Sequence, residues 1–254
     1  MPIDTLAAWQ VDNLRLTAFT TVPTSTGEVN WWEEIVGEAP EKRDERPRVG
    51  ESHSKGTYAG GELIMSLSPV RIDWNWNKLL TDNVSDAIPV IGPLPETIET
   101  FKNAMKKWID YQIPTQRLAF GAILIQPVEN AVDGYKRIQE YVESVKLDID
   151  HMSEFLYQIN RSRPSTIGVA DLVINRLMQW SIMEIRPVSM HAVLGSPGDQ
   201  SVTSFGDAHQ ALRLSLDINT KPGNVDRLPP DKMSDIFSEL VEMGLEIAKK
   251  GDVA

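Results

Sequence analysis

Between Gly60 and Asn77 the chain alternates apolar and polar residues, and the phase of that alternation reverses at one proline. Leu63, Met65 and Leu67 alternate with Ile64, Ser66 and Ser68. Beyond Pro69 the apolar set becomes Val70, Ile72, Trp74 and Trp76, against Arg71, Asp73 and Asn75. Successive side chains on a strand point to opposite sides of the pleat, so a period of two marks a strand with one buried face. Such order on both sides of a proline, which cannot donate to a ladder, predicts one bent strand or two short strands joined by a tight turn. Either way the stretch commits the chain to a sheet. Val70, Ile72, Trp74 and Trp76 are expected to pin that sheet to a helix predicted over 96–112, where Ile98, Phe101, Met105, Trp108 and Gln112 follow a three-to-four spacing ahead of Pro114.

Around this centre, residues 11–21 read as a strand rich in β-branched residues. A short helix is predicted over 29–37, with Asn30 as N-cap, Glu33 and Glu34 in its first turn and Gly37 as its stop. Residues 38–55, with charged residues grouped around Pro47, read as an exposed loop, and 82–95 reads as a proline-containing connector. Arg117–Gln126 is apolar on both faces and predicts a central strand. Ala131, Tyr135, Ile138 and Val142 define a helix capped by Asn130. Strands are expected at 154–160 and within 177–188, a flexible loop at 195–206, and 165–175 fits no single element. Ala211–Thr220 has the cleanest alternation, with Leu212, Leu214, Leu216 and Ile218 inward and Arg213, Ser215, Asp217 and Asn219 on a wet face. The last helix starts at Pro229 with Asp231 as cap, buries Met233, Ile236, Phe237, Leu240, Gly244 and Ile247, and ends at Lys249-Lys250-Gly251.

Two internal echoes stand out. Arg15-Leu-Thr-Ala-Phe19 matches Arg117-Leu-Ala-Phe120 at an offset of 102 residues, and Val70–Trp74 faintly matches 175–180 at an offset of 106. The expected fold class is α+β: a mostly antiparallel sheet with helices packed on one face. The chain is expected to form one globular unit over 1–254, with two pseudo-repeated halves, 1–114 and 115–254, as the finer version of that expectation.

The chain holds no cysteine, which excludes disulfides, thiolate metal sites and thiol nucleophiles. A formal charge of −11 repels a bare phosphate backbone, so nucleic acid is an expected partner only through a local basic patch. The first residues lack a signal-peptide pattern, and no apolar run has the ~18 residues a membrane helix needs. The expectation is an acidic, soluble, cytoplasmic protein of bacterial style with no membrane partner. Nucleotide-binding glycine motifs, nucleophile elbows and metal-binding helix motifs are missing. His53, His151, His191 and His209 are scattered, and Asp148, Asp150 and His151 read as an exposed acidic turn. No cofactor and no metal site are expected.

Two groups of residues carry hypotheses. Asn160, Arg161 and Arg163, with Arg176 nearby in sequence, place two arginines and an amide on a loop after a strand, a pattern that can clamp a carboxylate or phosphate. The competing account pairs these arginines with the chain's surplus Asp and Glu. Trp31 and Trp32 are adjacent, cannot share one helix face, and so offer one candidate partner contact among seven tryptophans. The reading is a non-catalytic binding or assembly subunit of a cytosolic multi-protein system, contacting a protein partner or a second copy. The alternative is an enzyme or ligand-binding domain recognising an anionic small molecule through the arginine loop.

Overall fold

The computed structural model describes residues 6–23, 30–79, 88–186, 188–192, 201–205, 207–223 and 226–253. The first half runs β1 (Gln10–Thr20), α1 (Trp31–Val36), β2 (Lys42–Arg46), β3 (Glu51–Tyr58), β4 (Gly61–Ser68), β5 (Arg71–Lys78), the two-residue β6 (Gly92–Pro93) and α2 (Leu94–Ile109). The second runs β7 (Thr115–Val128), α3 (Ala131–Tyr141), β8 (Leu156–Asn160), β9 (Arg163–Pro164), β10 (Val173–Ile185), β11 (Val188–Ala192), β12 (Ser201–Phe205), β13 (His209–Thr220) and α4 (Met233–Lys250). All paired strands are antiparallel, in the order β2-β3-β4-β5-β1-β7-β13-β10-β8, with β6 beside β1 and β9 beside β10. Among the described residues, strands β11 and β12 pair with each other and with no other strand.

The described helices pack on one face of the sheet. Leu14, Leu16, Ile72, Trp74, Trp76, Leu118, Phe120, Leu214, Leu216 and Trp180 are all at most 5% exposed, and each lies on the phase that meets the helices. Trp32 of α1 stacks on Trp74, Trp108 of α2 meets Trp74 edge-on, and Phe101 of α2 stacks on Trp76. On the other side of the centre, Tyr141 of α3 stacks on Trp180, and a Cβ on Gly244 of α4 would lie only 3.0 Å from the Phe120 ring. Phe101 also meets Phe237 of α4, and the Trp9 indole donates to the Ala248 carbonyl at 2.9 Å, so one contiguous core spans both halves. Aromatic pairs of this geometry add about 0.5–1.5 kcal/mol each beyond the burial of their surface.

The opening stretch is a hairpin of β4 and β5, not one bent strand, and its turn holds Pro69 and Val70. Val70 is 53% exposed there; of the expected set Ile72, Trp74 and Trp76 are buried, and Trp74 and Trp76 meet α2 through Trp108 and Phe101. The predicted loop 38–55 instead contains β2 and the start of β3. Asn30 precedes α1 without donating or accepting a side-chain cap bond, whereas Gly37 stops it at φ +91°. Asn130 caps α3 by accepting from the Asp133 amide at 3.0 Å. Asp231 lies inside a 3-10 turn, Pro230–Lys232, and Lys232 takes the cap position of α4. Within the predicted loop 195–206, Ser201–Phe205 is strand β12; residues 195–200 and 206 lie outside those described.

Candidate functional site

Register places the arginine group at one end of the sheet. Asn160 closes β8 opposite Leu177, Arg163 opens β9 opposite Ile174, and Arg176 lies between those two on β10. Arg176 shares its phase with Ile174, Met178 and Trp180, so its side chain points toward α4 and is 2% exposed. Its backbone amide donates to the Asn160 side chain at 2.9 Å.

The three guanidinium groups gather around two carboxylates from the C-terminal segment. Glu246 lies 3.0 Å from Arg163, 3.6 Å from Arg176 and 2.9 Å from Lys250. Asp252, fully buried in the 3-10 turn Gly251–Val253, accepts from the Tyr157 hydroxyl and the Glu143 amide, both at 2.9 Å, and lies 4.0 Å from Arg161. Arg161 also donates to Ser144 at 2.9 Å. The anions these arginines meet are therefore the chain's own. A cleft of about 420 Å³ beside them is lined by Glu239, Glu242 and Glu246 as well as Arg163, Lys249 and Lys250, which gives it no net cationic character.

Burial, then the neighbouring Arg163, lowers the pKa of the Arg176 guanidinium, and Glu246 opposes that shift. Burial would raise the Asp252 carboxyl, but hydrogen bonds from Ser144, the Glu143 amide and Tyr157 outweigh it and hold the group below the ordinary aspartate value. A depressed carboxyl contributes stability above its unfolded-state pKa of about 3.9 and loses it as pH falls through the lower folded value. Urea denaturation at pH 7 is expected to show Asp252→Asn less stable by about 2 kcal/mol, with the gap closing as pH falls below the ordinary aspartate range.

The two adjacent tryptophans separate. Trp32 is 1% exposed on the stack with Trp74, while Trp31 is half-buried and packs against Trp108 and Tyr111, with ring centroids 6.1 and 6.3 Å away. Trp31 and Tyr111, the latter 38% exposed, form the aromatic pair that reaches the surface there.

The face of the sheet away from the helices is the larger feature. Arg15 lies across Gly121 toward Asp217 at 3.5 Å; a Cβ on Gly121 would meet that guanidinium at 3.2 Å. Phe19 sits between two guanidinium groups, with Arg71 5.5 Å and Arg117 5.0 Å from its ring centre. Arg71 pairs with Asp73 at 2.7 Å, as their shared phase suggests, and Asp73 accepts from Thr17 at 2.5 Å. Arg117 donates to Asn219, which accepts from Asn175, which in turn accepts from Ser162 and Asn160. Strands β1, β5, β7, β13 and β10 thus share one connected polar layer. Asp217 and Asn219 lie on the face the alternation assigned them, but only the Asp217 side chain is open to solvent, at 39%, while Asn219 is buried at 5% within the polar layer; Arg15, Phe19 and Arg117 carried no signal beyond their place in the echo.

No described helix is long and apolar enough to cross a membrane. No known protein-family model matches the chain, and comparison with curated proteins gives no match.

Proposed function

We propose that the chain is a non-catalytic binding subunit of a cytosolic multi-protein assembly, and that it holds a protein partner on the open face of its sheet. One observation carries the reading. The helices pack on one face, leaving opposite them an ordered layer in which Phe19 is clamped by Arg71 and Arg117 and Arg15 is laid flat over Gly121. Side chains fixed before binding lose little freedom when a partner arrives, and arginine and aromatic residues dominate protein–protein hot spots. Arg15 and Arg71 are each paired with an aspartate on this face. Such alternating charge suits another protein's mixed surface better than a phosphate polymer.

The same face suggests that residues 1–114 and 115–254 are related copies forming one unit. In each, the first strand pairs with the last long strand of its half, β1 with β5 and β7 with β13, and the two first strands pair at the centre. Thr17 lies opposite Ala119, and 119 − 17 = 102, the offset of the Arg15/Arg117 echo. A two-fold axis through that pair would place Arg15 and Arg117 at equivalent positions.

Native mass measurement on complexes isolated from the source cells tests the function. The wild-type chain is expected to carry one partner at fixed stoichiometry. Arg15→Glu, Arg117→Glu and Phe19→Ala are each expected to weaken that complex by roughly 30-fold, while Lys42→Glu on β2 leaves it intact. Retention of the complex by all three open-face variants would sink the reading.

A further inference from the structure

The two edges of the sheet are built differently. Strand β2 is charged at every position from Lys42 to Arg46, all of them exposed, with Lys42–Asp44 at 3.2 Å and Arg43–Glu45 at 2.8 Å. Charge of this kind keeps another strand from adding to an edge. Strand β8 at the opposite edge, Leu156-Tyr-Gln-Ile-Asn160, has no charge, and Leu156 is 66% exposed, the most of any large apolar side chain described. We propose that β8 is a homodimer interface, pairing antiparallel with β8 of a second copy about Gln158.

Register decides which backbone groups are on offer. The Arg161 amide donates to the Arg176 carbonyl, opposite it, at 3.2 Å, and the Ser165 amide to the Leu172 carbonyl at 2.8 Å. On the far side of β10, the Lys221 amide donates to the Val173 carbonyl at 2.8 Å, which fixes the same alternation. Residues 157, 159 and 161 therefore bond inward to β10, while Leu156, Gln158 and Asn160 turn their amides and carbonyls outward. Pairing about Gln158 matches all of these outward groups, 156 with 160 and 158 with 158, so every one finds a partner.

Side chains fit the same register. Tyr157 falls opposite Ile159 twice on the helix side, an aromatic–β-branched pair that stabilises sheets, and Leu156 falls opposite Asn160 on the other side. Charge agrees as well. Glu154 precedes the strand and Arg161 and Arg163 follow it, so antiparallel apposition sets the acidic end of each copy against the basic end of the other. Pro164, on the outward phase, has no amide to offer and ends the pairing.

Sedimentation of the purified full chain over a concentration series tests this, and the expected result is a monomer–dimer equilibrium. Gln158→Pro removes only an outward amide, so it should keep the melting temperature and circular dichroism of the wild type while weakening the dimer by roughly tenfold or more. The chain has no cysteine, so Gln158→Cys and Glu45→Cys each supply a single thiol. Mild oxidation should cross-link Gln158→Cys into dimers much faster than Glu45→Cys. A chain that stays monomeric throughout, cross-linking at equal rates from both edges, or a β8 that pairs only with another protein's strand overturns the proposal. Arg15→Glu should leave self-association unchanged, so failure here is distinguishable from failure of the open-face reading.

Discussion

Gly251→Ala is expected to destabilise the protein more than any other single-methyl addition at a described glycine. Gly251 follows α4 with φ +79° and ψ −152°, a region open only to glycine. A Cβ built there would lie 1.9 Å from the Tyr141 carbonyl oxygen and 2.7 Å from its carbon. Those are backbone atoms at the end of α3, so no side-chain rotation can relieve the contact. Relief requires α3 and the C-terminal turn to part, which pulls Asp252 away from Tyr157 and the Glu143 amide. The expected cost is about 4 kcal/mol or more, a fall in melting temperature of roughly 10 °C for a chain of this size. Gly37→Ala is the control. It shares a positive φ of +91° but has nothing within 4 Å of the added methyl, so only the backbone term of about 1 kcal/mol remains. Thermal melts of the two variants separate close approach from conformational preference; similar melting temperatures would sink the account of the C-terminal turn as a packed latch.

What could be read from the sequence follows from where burial imposes a pattern. Ile72, Trp74 and Trp76 announced their strand because one face is buried by large apolar groups. Strand β2 could not, since all five of its positions are exposed and nothing forces an alternation. Strand β3 is subtler: its buried residues are Ser52, Ser54 and Gly56, small groups that leave no hydrophobic signature, and Tyr58 at its end packs on Trp76. The space above them is filled by a large neighbour, and a Cβ on Gly56 would meet the Trp32 ring at 3.2 Å. The period of two was present in size, inverted in hydropathy.

Phase also bears on the arginines and on the echoes. Arg176 occupies an inward position between Ile174 and Met178, a signal available in the sequence but masked by its charge. The echo of Val70–Trp74 in 175–180 joins strands with different places in the sheet: β5 adjoins β1, while β10 is separated from β7 by β13. The Arg15/Arg117 echo falls on the two central strands themselves.

The largest effect in the arginine group is expected at Arg176. Arg176→Ala should cost about 3–5 kcal/mol, because it removes a buried cation from the Glu246 cluster and leaves its aliphatic stem unreplaced between β10 and α4. Arg161→Ala and Arg163→Ala should cost about 1 kcal/mol or less, since both side chains are 40% exposed and water can take over their bonds. Urea titrations at one pH give the three values directly. The pattern discriminates between an internal strut and a site for an external anion. As a strut, the trio is already matched by Glu246 and Asp252, and millimolar phosphate or sulfate should leave the wild-type melting temperature unmoved. As an anion site, phosphate would raise the wild-type melting temperature, and Arg161→Ala or Arg163→Ala would abolish that rise at little cost to basal stability. A large loss confined to Arg176, with no protection by either anion, follows if these arginines fasten α4 and the C-terminal turn to the sheet edge that β8 presents.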